Sequence, residues 1–281
     1  MDTSHYFLEE HPGQGSAFGL KIKAKLHEEQ TPYQKIEIYE TENYGYMMSI
    51  DGFIMLTSRD NFLYHEMMSH PAIFTHPNPK DVVIIGGGDC GTLKEVLKHK
   101  EINSVWQIDI DERVTRLAEK YFPELCEANN DPRAHFYFGD GVKWVKDAPE
   151  NSADIVIVDS TDPFGPGESL FTDKFYADCC RMLRNNGLIV HQSESPLFHL
   201  DAIIKPMHKN MKKAGFQEVI TLQFPQPTYP SGWWTATMAI KSGDISVFRE
   251  AEAASREFVT KYYNENIHKA SRAMPNLMEG L

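Results

Sequence analysis

Cysteine is scarce in this chain. There are four, Cys90, Cys126, Cys179 and Cys180, and no two stand as CxxC. That argues against a disulfide framework and against a thiolate metal site. The twelve histidines contain no HExxH or comparable ligand spacing, so no metal is expected. No apolar run approaches the ~18–20 residues that a membrane helix needs. The opening MDTSHYFLEEHPGQGS is polar and lacks the basic-then-apolar pattern of a signal peptide. These absences lead us to expect a soluble, cytoplasmic protein with no membrane partner. Positive charge is also short. Lys and Arg number 28 against 40 Asp and Glu, a formal charge of −12. Phosphate backbones need a basic surface, so nucleic acid is not an expected partner. An acidic field favours cationic ligands instead.

What is present is enough for a core. The chain has 281 residues, 41% of them hydrophobic, a length that fits one large domain or two smaller ones. The first third reads as β structure. LKIKAKLHEE and YQKIEIYET alternate apolar and polar residues, and YMMSIDGFIMLTS is a hairpin turning at Asp51-Gly52. An antiparallel β-domain is therefore expected over residues 1–58. A helix over RDNFLYHEMMSHPAIF follows, with Pro71 disturbing its last turns.

From residue 80 the pattern changes, and a second domain is expected over residues 59–281. Short apolar strands (DVVIIGGGD, SVWQIDID, AHFYFGDG, ADIVIVDS, LIVHQSES) are interleaved with helical segments (GTLKEVLKHK, DERVTRLAEKYF, DKFYADCCRMLRNNG, DAIIKPMHKNMKKAG). FQEVITLQF and WWTATMAIKS bring the strands to seven. The fold class is α/β, with a Rossmann-like, methyltransferase-type, mostly parallel seven-stranded sheet and a small N-terminal antiparallel β-domain. Ligands of such sheets bind beyond the carboxyl ends of the strands.

Those ends carry the chemistry. Gly86 to Asp89, Asp109, Asp140 and Asp159 all close predicted strands, which gathers them on one sheet edge. Glycines in GGGDCG let the backbone turn tightly and approach a ligand closely. Asp109 stands 23 residues after Gly86 (109 − 86), the spacing at which an acidic residue grips ribose hydroxyls. Asp140, followed by Gly141, is placed to accept from an adenine amino group. A Gly-rich turn serves both dinucleotides and S-adenosyl sulfonium compounds. Asp89 within the turn would repel a pyrophosphate and welcome a sulfonium compound with a cationic tail, so the second class is favoured. In VDSTDPFGPGESLF, Asp159 and Asp162 end a buried strand and a Pro/Gly loop follows, placed as a lid over residues 163–170.

GGGDCGTLKEV, YHEMM, GDG, VDSTDPFGPGESLF, QPTYPSGWW and the terminal YYNENIHKASRAMPN together resemble the polyamine aminopropyltransferase family, in its bacterial spermidine synthase type. The likeness runs from YQKIEIYE to the C-terminus. It implies decarboxylated S-adenosylmethionine as co-substrate, putrescine as acceptor, no separate cofactor, and a homodimer or homotetramer. By motif position it assigns Gln34, Asp109, Asp140 and Gly141 to the nucleoside, with Gly86 in the turn beside it and Pro166 in the flap. It assigns Tyr64, His65, Asp89, Asp162, Gln192 and Tyr229 to the amines and the aminopropyl chain. Asp159 matches the catalytic acid/base position. Without the resemblance, Tyr64 and His65 read as core or capping residues, and Gln34 as a solvent-facing one. Three positions depart from the family pattern, one of them Arg272, where an aromatic is more usual. Cys90 replaces a glycine, at a cost of about 1–2 kcal/mol if φ is positive there. Asp109 stands where a glutamate is common.

The implied chemistry is amine alkylation. Asp159 takes a proton from the acceptor ammonium, and the amine displaces a neutral thioether. Two other classes stay open on sequence. A methyltransferase would use ordinary S-adenosylmethionine, whose carboxylate Asp89 disfavours. A polyamine-binding regulator would need no base at position 159.

Overall fold

The computed structural model describes residues 5–161 and 165–281. Two sheets organise it. The first holds β1 (Tyr6–His11), β2 (Ser16–Gln30), β3 (Lys35–Thr41), β4 (Tyr46–Ile50) and β5 (Phe53–Thr57) in sequential antiparallel order. The second holds β6 (Asp81–Gly86), β7 (Ser104–Asp109), β8 (Ala134–Phe138), β9 (Ala153–Asp159), β10 (Leu183–Gln192), β11 (Glu218–Pro225) and β12 (Trp233–Ile240). Its order is β11-β12-β10-β9-β6-β7-β8. The five strands from β10 to β8 are parallel, and β12 is antiparallel to both β10 and β11.

The helices are α1 (Asn61–Thr75), α2 (Gly91–Leu97), α3 (Glu112–Tyr121), α4 (Gly141–Asp147), α5 (Asp173–Met182), α6 (Pro196–His199), α7 (Lys205–Lys213), α8 (Glu250–Ala254) and α9 (Glu265–Ala270). They cover both faces of the large sheet. One core joins α1 and α2 to Val82, Ile84, Ile155 and Ile157, and the other joins α5 and α7 to Val83, Ile85, Val156 and Val158. Because both faces are buried, β6 and β9 are continuous apolar runs rather than alternating ones. Every side chain of α1 from Tyr64 to Thr75 is buried, and the helix runs through Pro71 to Thr75. The small sheet lays Ile36, Ile38, Met48, Ile50 and Leu56 on Val114, Leu117, Ala118 and Phe122 of α3 and its C-terminal cap. Among the described residues, no helix is long and apolar enough to cross a membrane.

The structure corrects one expected element and adds five. The helix expected over residues 173–187 stops at Met182. Leu183 turns extended (ψ 140°) and pairs with Ala153, and a register shift between Leu183 and Leu188 absorbs the Asn-Asn-Gly stretch. Five elements carried no clear sequence signal: β1, the short crossover helix α4, capped by the Asp140 side chain, and the short helices α6, α8 and α9.

The parallel order reverses at β6 and β9. β7 and β8 lie to one side and β10 to the other, so a crevice opens above the ends of β6 and β9. Gly86 and Asp159, the last residues of those strands, are register partners.

Candidate active site

A cleft occupies that crevice. It is lined by the Gly86–Asp89 turn, Asp109, Asp140, Asp159 and Leu170 on the large sheet's side, and by Gln34, Met48 and Met55 from the small sheet. Gly86 (φ +85°) and Gly87 (φ +68°) take the left-handed conformation that glycine adopts freely. The absent side chains also make room. A Cβ on Gly86 would stand 2.1 Å from the Asp159 carbonyl oxygen, and one on Gly88 would stand 2.7 Å from Asp109 Oδ2. Cys90 has φ +69°, so the costly alternative at that position is the one realised.

Asp159 sits at the centre, its carboxylate held from two sides. The Tyr64 hydroxyl donates to Oδ1 at 2.7 Å and the Thr92 hydroxyl donates to Oδ2 at 2.6 Å. The Gly87 N–H donates to its carbonyl at 2.7 Å. Burial raises the Asp159 pKa, and the Asp89 carboxylate raises it further, against the opposing pull of His65 and the two hydroxyls.

Asp89 stands beside it in the turn. The Gly91 N–H donates to Oδ1 at 2.7 Å, and His65 Nε2 lies 3.2 Å from Oδ2. Burial opposes ionisation of Asp89, but the His65 imidazole and the Gly91 amide outweigh it and hold its pKa below the ordinary range. For His65, burial disfavours the cation, yet Asp89 prevails and the pKa is raised. The two form a partly buried, polarised pair.

Asp109 closes β7. Burial pushes its pKa up to about 6, against the helping N–H of Asp111, which donates to Oδ1 at 2.8 Å. Asp111 in turn receives the Thr31 hydroxyl at 2.7 Å and the Gln34 amide at 3.2 Å on Oδ2. Gln34 is thus tied to the large sheet at the cleft wall. Asp140 is exposed and caps α4 through the Lys143 N–H at 3.1 Å. At Gly141 a Cβ would meet Ile85 Cγ2 at 2.7 Å, so only glycine lets α4 start against β6.

A second, smaller cavity adjoins the cleft and shares Met55, Tyr64, Ser160, Thr161 and Tyr229 with it. Gln192, Trp234 and Glu9 complete its wall. The Gln192 amide donates to Glu194 Oε1 at 3.2 Å, and the Tyr229 hydroxyl donates to the Met55 carbonyl at 2.5 Å. Tyr64 therefore stands where the two cavities meet, and Asp159, to which it donates, lines the first of them. Such an arrangement can hold a nucleoside in one cavity and a cationic amine in the other, with the Asp159 carboxylate bonded to the Tyr64 that both share.

Gln34, Tyr64, Gly86, Asp89, Asp109, Asp140, Gly141, Asp159 and Tyr229 line the cleft, Gln192 lines the adjoining cavity, and His65 reaches the cleft through Asp89. Asp162 lies outside the described residues. Pro166 falls in the 3₁₀ turn Gly165–Phe171, of which Gly167, Ser169 and Leu170 line the cleft. Thr92, Trp234 and Glu9 were not picked out by sequence. Thr92 follows GGGDCG directly, and that adjacency was the one available signal. Among the described residues, no group of three or more His, Cys, Asp or Glu could hold a metal ion.

The chain is similar to known proteins over nearly its whole length. Residues 61–250 match the spermine/spermidine synthase domain, and residues 5–58 match the spermidine synthase tetramerisation domain. The polyamine aminopropyltransferase of Thioalkalivibrio sulfidiphilus is 61% identical over 96% of this chain and 95% of its own length. That of Methylococcus capsulatus is 61% identical over 98% of this chain and 95% of its own. A crystal structure of spermidine synthase in complex with the transition-state analogue AdoDATO superposes with a TM-score of 0.94. It is 35% identical and covers 98% of this chain and 93% of that one. Spermidine synthase from Thermotoga maritima gives a TM-score of 0.92 at 34% identity, covering 98% of this chain and 92% of that one.

Proposed function

The chain belongs to the spermine/spermidine synthase family of aminopropyltransferases, and from that premise we propose that it makes spermidine, with Asp159 as general base. The donor is decarboxylated S-adenosylmethionine and the acceptor is putrescine. Asp109 takes the ribose hydroxyls, with Gln34 steadying the wall behind it, and Asp140 takes the adenine. Asp89 takes the cationic end of the aminopropyl chain. The acceptor enters the adjoining cavity between Gln192, Tyr229 and Tyr64.

At neutral pH the acceptor amine is an ammonium with a pKa near 10, too protonated to attack. Burial and the Asp89 charge lift Asp159 toward it. The same burial, and the sulfonium close by, lower the ammonium's pKa. Asp159 accepts one proton. The freed nitrogen lone pair forms a bond to the methylene carbon on sulfur, and the C–S electron pair stays with sulfur. Methylthioadenosine leaves as a neutral thioether and positive charge ends on the new secondary ammonium. Asp159 then loses its proton to solvent. The protein supplies alignment and exclusion of water, and the segment through Gly165–Phe171 serves as the lid.

One observation supports this reading above the others: Tyr64, which lines both cavities, donates to the Asp159 carboxylate that lines the cleft. We further propose division at residue 58, a cytoplasmic location, and a homo-oligomer built through the small sheet, which exposes Tyr6, Leu8, Leu26 and Tyr46. Incubation with putrescine and either decarboxylated or ordinary S-adenosylmethionine tests the reaction by mass spectrometry. Spermidine and methylthioadenosine from the decarboxylated donor alone are expected. A methylated amine from the ordinary donor would overturn the assignment of Asp89.

A further inference from the structure

Thr92 is the second residue of α2 and is fully buried, 0% exposed. Threonine hydroxyls in buried helices commonly turn back onto their own helix backbone. This one instead spans to another element and meets Asp159 Oδ2 at 2.6 Å. Tyr64, which lines the cleft, meets the other oxygen, Oδ1, at 2.7 Å. Thr92 does not line the cleft. The carboxylate is therefore held between a cleft-lining residue on one oxygen and the buried start of α2 on the other.

We propose that Thr92 is a positioning residue for the base: its hydroxyl pins Oδ2, so that the free lone pair of Oδ1 faces the acceptor ammonium. The proposal rests on the assignment of Asp159 as the base. Its physical content is twofold. A hydroxyl that donates to a carboxylate favours the ionised form, the only form able to accept a proton. It also fixes the carboxylate plane, which a single contact from Tyr64 leaves free to rotate about the Cβ–Cγ bond. Burial and Asp89 both push Asp159 toward protonation, and the hydroxyls oppose them. Among the described residues, the titratable groups facing it are Tyr64 and His65 from α1, Asp89 from the turn, and Asp109 from the end of β7. Tyr229 stands behind Tyr64 at 5.9 Å between ring centroids.

Thr92→Val keeps the shape of the side chain and removes the donor, and Thr92→Ser keeps the donor. The test is the pH profile of kcat/KM for both variants, with Asp159→Asn alongside and a thermal melt of each. In Thr92→Val the acid limb is expected to move up by about one pH unit, the loss of one hydrogen bond to a charged group. Activity at a given pH on that limb then falls about tenfold. KM for the donor should stay within about twofold, because Thr92 touches no ligand surface, and Thr92→Ser should restore the wild-type limb. If Asp159→Asn is inactive but the Thr92→Val limb stays in place, the positioning role is wrong and the base assignment stands. If Asp159→Asn turns over normally, both fall. Equal losses in Thr92→Val and Thr92→Ser, together with a lowered melting temperature, would make Thr92 merely structural.

Discussion

Gly86 and Asp159 face each other across the two central parallel strands, and a Cβ on Gly86 would lie 2.1 Å from the Asp159 carbonyl oxygen. The glycine turn of the cleft and the strand end that carries Asp159, the proposed base, are therefore one construction. Gly86→Ala adds a clash to a φ of +85°. We expect a loss of stability of at least about 2 kcal/mol, from left-handed strain and displaced backbone together. Urea denaturation measures it. Turnover should fall with it, because Asp159 must move.

Asp109, the proposed ribose ligand, costs the fold stability at neutral pH. Burial raises its pKa from 3.8 to about 6, so the folded state holds a proton that the unfolded state has released. Stability is then highest below the unfolded pKa and falls as pH rises from about 4 to about 6. Two units correspond to about 3 kcal/mol. Asp109→Asn keeps an acceptor for the Asp111 N–H and removes that charge. It should stabilise the unliganded protein at pH 7 by about 1–2 kcal/mol, after allowance for the lost help of nearby amides. Methylthioadenosine affinity should drop at least about tenfold, as expected for a lost hydrogen bond to a charged group. A melt and a calorimetric titration of the same sample give both numbers, and a destabilised variant would contradict the sign.

Cys90 poses a balance of small effects. Its φ of +69° costs about 1–2 kcal/mol in a non-glycine residue. Its side chain is fully buried, with Gln107 Nε2 at 3.7 Å from the sulfur, and a buried methylene contributes about 0.8 kcal/mol. Glycine adds about 0.5–1 kcal/mol of backbone entropy cost. Cys90→Gly should therefore change stability by less than about 1 kcal/mol in chemical denaturation. Cys90→Val, β-branched at a left-handed position, should lose more than about 2 kcal/mol.

Glu66, next to His65 on α1, is 1% exposed and accepts from three consecutive backbone N–H groups, those of Lys261, Tyr262 and Tyr263, at 2.8 to 2.9 Å. It fastens the C-terminal segment to the helix that carries Tyr64. Glu66→Ala leaves three amides without their acceptor and should cost about 3 kcal/mol or more. Limited proteolysis should then cut near residue 261 before the rest of the chain opens.

Much of this was legible in the sequence because the large sheet is buried on both faces. Residues 82–85 and 155–158 are unbroken apolar runs that end in glycine or aspartate, and strand ends on one sheet edge must converge. The rest was hidden for particular reasons. β1 points Glu9 inward and Leu8 outward, the reverse of the usual alternation, so YFLEEH did not read as a half-buried strand. α4 has two turns, too few for a helical period to emerge. The sequence pattern carries the helix of residues 173–187 past its end, because nothing local marks Leu183 as the residue that leaves α5 for the sheet. The role of Thr92 is hidden because its partner lies 67 residues away, and its place just after GGGDCG is the only trace of it in the sequence.

The central claim is that Asp159 moves the proton, and Asp159→Asn tests it most directly. The amide keeps the size of the side chain and the geometry of the cleft. Methylthioadenosine should bind within about threefold of the wild-type affinity, while spermidine formation, followed by mass spectrometry under single-turnover conditions, should fall at least about a hundredfold. Undiminished spermidine formation in that variant would contradict the claim.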